Sequence, residues 1–125
     1  MGEPEKFEIV DKAEKLMYHV LDMTTNRKNY PVKYRRVADH LQLFGINLVS
    51  YIVSANTIWS STAESKRRKA ELQTQAIAEL DKFLLLAKYS LHANLISAAT
   101  AEKWTALAHD VKYMTIAWRK SCLQA

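Results

Sequence analysis

Two glycines and two prolines in 125 residues leave this chain little material for tight turns, which argues against an all-β fold with its many reversals. With Gly2 and Gly45 alone, no glycine-rich phosphate loop can be built, and nucleotide hydrolysis by that route is excluded. The single cysteine, Cys122, has no partner for an internal disulfide and no companions for a Cys-rich zinc site, so a reducing, cytoplasmic setting is the expectation. None of His19, His40, His92 and His109 follows a Glu at the Glu-x-x-His spacing of a di-iron bundle, and no metal or other cofactor is expected. No charge-free apolar run is long enough to span a membrane. The first residues, MGEPEKFEIVDK, lack a basic start followed by an apolar stretch, so no secretory signal is read there. Lys6 stands where a myristoylation motif needs Ser or Thr.

What the chain does have is helical periodicity. Four segments place apolar residues three and four apart, the mark of one buried helix face, and predict helices over about 5–26, 31–60, 63–92 and 98–121 in a single domain, 1–125. The first stripe is Phe7, Val10, Ala13, Met17, Val20 and Leu21; the second runs through Val37, Leu41, Phe44, Leu48, Tyr51, Ile52, Ala55 and Ile58. Leu72, Ala76, Leu80, Phe83, Leu84, Ala87 and Leu91 form the third, and Trp104, Leu107, Ala108, Val111, Met114 and Trp118 the fourth. Short connections between long helices make neighbours antiparallel, so the fold class is all-α, an up-down-up-down four-helix bundle. Pro31 suits a first helical turn, which makes Tyr30 a boundary. Ser61 with Glu64 reads as a capping box for the third helix, and Ser97 or Thr100 as the cap of the fourth. Gly45, inside the second helix, costs about 1 kcal/mol against Ala, and close approach of a neighbouring helix would explain it. Trp59, Trp104 and Trp118 read as core residues rather than a ligand cage. Leu43, Val49, Val53, Ile77, Leu85 and Leu86 widen the apolar arc beyond a narrow seam, as an oligomer interface would require.

Charge is distributed unevenly. Residues 1–25 hold six acids and three bases, while residues 26–125 hold seven acids and fifteen bases, a sum of +8 that favours a polyanionic partner. Two runs concentrate it. NRKNYPVKYRR supplies Arg27, Lys28, Lys33, Arg35 and Arg36 without an acid; ESKRRKAE supplies Lys66, Arg67, Arg68 and Lys69. In the bundle these runs fall at opposite ends, with Arg119 and Lys120 joining the second. Each run is either a solvated helix face or a set of phosphate contacts. At helical spacing Arg35 can pair with Asp39, Glu64 with Arg68, and Arg67 with Glu71, each pair contributing only about 0.2–0.5 kcal/mol. Tyr30 and Tyr34 could stack on bases, but the plainer reading makes Tyr30 a plug at the bundle end.

From about Lys15 to Lys120 the chain resembles the accessory variability determinant (Avd) proteins of diversity-generating retroelements. The resemblance rests on the order and spacing of YPVKYRR, the Ala-Asn of YIVSANTIW, KRRKAELQTQAI and AWRKS. Better-known members have Gly-Gly-Trp where this chain has Ile116-Ala117-Trp118, which suggests a divergent branch. The resemblance implies a homopentameric barrel of bundles that performs no chemistry itself but binds a reverse transcriptase and its template RNA or RNA–cDNA. It implies RNA-phosphate contacts at Arg27, Lys28, Lys33, Arg35, Arg36, Lys66, Arg67, Arg68, Lys69, Arg119 and Lys120. The expected function is thus a non-enzymatic, nucleic-acid-binding accessory subunit. The alternative is an oligomeric scaffold for a partner protein without nucleic acid.

Overall fold

The computed structural model describes residues 3–124, with side chains from Glu8 onward, so the expectation for Phe7 lies outside the described side chains. Four helices make the architecture: α1 is Glu3–Thr25, α2 Arg35–Asn56, α3 Ala63–His92 and α4 Ala98–Gln124. Each packs on its neighbours in chain order, and α4 closes the ring on α1.

Cross-helix contacts fix the directions. Lys12 pairs with Asp110 at 3.1 Å and His19 meets Trp104, so α4 runs down as α1 runs up. Gln42 bonds Thr24 while Gly45 lies against Met17, which sets α2 antiparallel to α1. Lys82 sits over Phe44 and Lys69 reaches Ile58; Lys112 pairs with Asp81 and Arg119 bonds Thr74. The result is the expected antiparallel up-down-up-down four-helix bundle.

Its core follows the stripes of α2, α3 and α4 closely. Leu41, Leu48, Ile52 and Ala55 face Ala76, Leu80, Phe83 and Ala87, with Trp104, Ala108, Val111 and Trp118 completing the interior. Trp104 is fully buried, its ring centroid 5.6 Å from that of Phe83. On α1 the buried positions are Ile9, Ala13, Leu16 and Val20, whereas Val10, Met17 and Leu21 are only half-buried. The stripe is turned about one residue from the expected one. Leu91, expected inside, is exposed at the end of α3.

The helix boundaries show how a chain short of glycine turns. Pro31 is extended, with ψ 164°, and a single 3-10 turn, Val32–Tyr34, intervenes before α2 begins. α2 therefore starts four residues later than the periodicity suggests. It also stops at Asn56, because the N–H groups of Thr57 and Ile58 bond back three residues, to Ser54 and Ala55, tightening the last turn. The capping box of α3 lies one residue beyond the expected pair: Thr62 Oγ1 accepts the Ser65 N–H and Ser65 Oγ accepts the Thr62 N–H, both at 3.0 Å. Thr62 wins because it holds the extended backbone an N-cap needs. At the other end of α3, Asn94 takes φ 60°. Its N–H bonds the Leu91 carbonyl and that of Leu95 the Ser90 carbonyl, which is a Schellman stop with Asn in the usual place of Gly. Ser97 caps α4, accepting the Thr100 N–H at 3.1 Å.

Candidate nucleic-acid interface

The corner between α1 and α2 is assembled from local hydrogen bonds. Thr24 and Thr25 donate their hydroxyls to the carbonyls of Val20 and Leu21 as α1 runs out. Asn26 Oδ1 accepts the Lys28 N–H, the Asn26 carbonyl accepts from Asn29 and Tyr30, and Asn29 donates its side-chain amide to the Met23 carbonyl. Tyr30 then turns inward. It is 3% exposed, and its hydroxyl donates to Ser90 Oγ of α3 at 2.8 Å; it is the plug expected of it. Burial pushes its phenol pKa up, against the opposing effect of the Ser90 hydrogen bond. Tyr34 is half-buried and packs on the core.

With the tyrosines turned to packing, the cations are left outside. Arg27, Lys28, Lys33, Arg35 and Arg36 are all exposed, and none of them makes an ion pair within 4 Å among the described residues. The Arg35–Asp39 pair expected from their spacing does not close. Lys33 lies over the Tyr34 ring, 5.5 Å from its centroid. Arg27 and Arg35 instead flank a cleft of about 250 Å³ whose other polar walls include Thr24, Thr25, Asp39 and Gln42. α2 has no side-chain cap on its first N–H groups, so the positive end of its dipole adds to the same field. Gln42 is a member of this site that charge counting misses, because only the turn of α2 brings it beside Arg27, while Asp39, read from spacing as a partner of Arg35, lines the same cleft.

The opposite end is built differently. Arg67 and Arg68 are exposed, Lys66 is half-buried, and neither Glu64–Arg68 nor Arg67–Glu71 comes within ion-pair distance. Arg119 Nη1 donates to Thr74 Oγ1 at 2.9 Å, linking α4 to α3, and Lys120 is exposed. Lys69 departs from the expected solvated run. It is 3% exposed, its ammonium donates to the Ile58 carbonyl at 3.1 Å, and it sits over the Trp118 ring at 5.5 Å. A buried ammonium needs such partners, and these commit it to holding the α2–α3 connection rather than to a phosphate. Trp59, expected in the core, is 86% exposed on that connection.

Inside the bundle one further polar pair stands out. The Trp104 indole N–H donates to His19 Nδ1 at 2.7 Å, a bond that requires a lone pair on that nitrogen. Burial lowers the His19 pKa, the nearby Lys103 charge lowers it further, and Asp22 works against both. Among the described residues no group of three His, Cys, Asp or Glu side chains could hold a metal ion, and no helix is long and apolar enough to cross a membrane.

The fold and these surfaces define a four-helix-bundle protein with a cationic cluster at each end. Comparison with known protein families, with curated proteins and with solved structures finds no match for the chain.

Proposed function

We propose that this protein is a non-enzymatic, RNA-binding accessory subunit of a retroelement reverse transcriptase, similar in role to the Avd proteins. The observation that carries the reading is the α1–α2 corner, where five exposed Arg and Lys side chains have no acidic partner among the described residues. Cations left in this state gain by releasing the counterions of a nucleic-acid backbone. The cleft between Arg27 and Arg35 would seat one phosphate, with Lys28, Lys33 and Arg36 around it and Arg67, Arg68, Arg119 and Lys120 supplying the far end. Template RNA or an RNA–cDNA hybrid is the proposed ligand, and the polymerase the proposed protein partner.

The apolar surface supports assembly into a homo-oligomer, for which the resemblance suggests five copies. Leu43, Ile46 and Val53 are exposed along one face of α2, and Leu85 is 70% exposed on the adjoining α3. The same surface is what favours the second reading, an oligomeric scaffold that binds a partner protein and no nucleic acid.

Salt and mutation separate the two. Affinity for a labelled single-stranded RNA, followed by fluorescence anisotropy, should fall steeply as ionic strength rises. The double variant Arg35→Ala/Arg36→Ala should bind more weakly and lower the slope of log affinity on log salt by about one for each phosphate no longer neutralised, with its helical circular dichroism unchanged. Wild-type affinity in that variant would remove the corner from the interface. Absence of RNA binding by the wild-type protein at low salt would leave the scaffold reading.

A further inference from the structure

The exposure of Trp59 is the feature of the basic ends that charge alone does not explain. Trp104 and Trp118 are buried to 0% and 2% exposure, whereas Trp59 keeps 86% of its surface in water. An exposed indole offers a large, rigid aromatic face to a partner. The segment that carries it is pinned on both sides. Before it, the Thr57 and Ile58 N–H groups bond to Ser54 and Ala55, and the Ile58 carbonyl accepts the buried Lys69 ammonium. After it, the reciprocal Thr62–Ser65 bonds start α3. The ring is therefore presented from a fixed backbone, and a partner would bind it without first having to order the connection.

We propose that Trp59 is a stacking platform for an unpaired nucleobase, carried on the connection that leads into Lys66, Arg67 and Arg68 of α3. The inference rests on the RNA-binding reading above and deepens it. Its neighbours choose the occupant. A docking site for an apolar protein segment would continue into further apolar side chains, but Trp59 stands between the half-buried Ile58 and the polar run Ser60, Ser61 and Thr62, and the connection leads into three cations outside the core, Lys66, Arg67 and Arg68, with one acid, Glu64, before them. An exposed aromatic face on a polar connection that leads into cations fits a base whose own phosphates meet the Lys and Arg side chains. Lys69 serves as a positioning residue, holding the Ile58 carbonyl and so the strand of chain that carries the ring.

The buried state of the other two tryptophans makes the test direct. Oligouridylate, which stacks little on itself, is titrated into the full-length protein at low salt while intrinsic tryptophan fluorescence and, separately, RNA anisotropy are followed. Quenching should saturate together with binding, and should disappear in Trp59→Phe. Trp59→Ala should lose affinity about 5- to 150-fold with unchanged helicity, since an exposed ring contributes little to the core. If Trp59→Ala binds the RNA as tightly as wild type, stacking is refuted while the basic corner keeps its role. If Trp59→Ala keeps RNA affinity but no longer captures the reverse transcriptase, the ring is a protein contact and the proposal is overturned. If the wild-type protein binds no oligouridylate and no template RNA, the RNA-binding reading itself fails and takes the proposal with it.

Discussion

Protonation of His19 at Nδ1 would remove the lone pair that accepts the Trp104 indole N–H and leave a fully buried donor without a partner. The folded-state pKa of His19 is lowered from 6.5, so in acid the unfolded chain binds the proton before the folded one does. Stability contributed by this residue is complete above the unfolded pKa and is lost as pH falls from 6.5 through the lowered folded value. Urea midpoints measured across that range should decline. His19→Gln, whose amide oxygen can accept the same N–H without titrating, should decline less. An equal decline in both proteins would assign the effect to other groups. Lys69 makes a related point about single residues. In the sequence it is one of four consecutive cations; in the fold it lies under the α2–α3 connection with a backbone carbonyl and an aromatic face as partners. Charge type was legible from the letters, but the carbonyl that draws this one lysine inward was not.

At the scale of the helix, periodicity located the four α-helices, and it failed at the 3-10 turn before α2, at places where two apolar residues stand side by side, and where a stripe outruns its helix. Ile9–Val10 and Leu16–Met17 offer the α1 stripe two almost equivalent registers, and packing against α4 and α2 selects Ile9 and Leu16. Trp59 follows Ile58 as though α2 continued, yet the three-residue hydrogen bonds after Asn56 end the helix first and turn the indole outward. The α1–α2 corner was readable because Pro31 and the acid-free basic run mark it in sequence. Its cleft was not, because Thr24 and Gln42 join it only through the packing of α1 against α2. Gly45 gives this scale its prediction. A Cβ there would meet Met17 Cγ at 3.5 Å and Met17 Cα at 3.7 Å. α1 does come close, as the glycine suggests, but at ordinary contact distance, so a methyl group fits. Gly45→Ala should therefore stabilise the bundle by about 0.5–1 kcal/mol through the backbone entropy removed from the unfolded chain, seen as a raised Tm. Gly45→Leu should destabilise it by overpacking against Met17.

Across the whole molecule, the antiparallel topology separates charge that the sequence brings within thirty residues. α2 has 22 residues and is about 33 Å long at 1.5 Å per residue, which is roughly the distance between the Arg35–Arg36 corner and the Lys66–Arg68 end. A single RNA strand must therefore reach a threshold length before its phosphates can meet both clusters at once. Strands shorter than this can occupy one end at a time. A longer strand held at one end meets the other as an intramolecular partner, at an effective concentration that raises affinity by about 10²-fold or more where the geometry permits. Binding isotherms for an RNA length series at fixed salt should accordingly show a step in affinity near that length, beyond the gradual increase expected from extra sites on the strand. The step should be lost in Arg35→Ala/Arg36→Ala, which leaves the far end intact, and lost equally in Arg67→Ala/Arg68→Ala. A smooth length dependence in the wild-type protein would mean that the two ends bind independently, and that the bundle does not measure the length of its ligand.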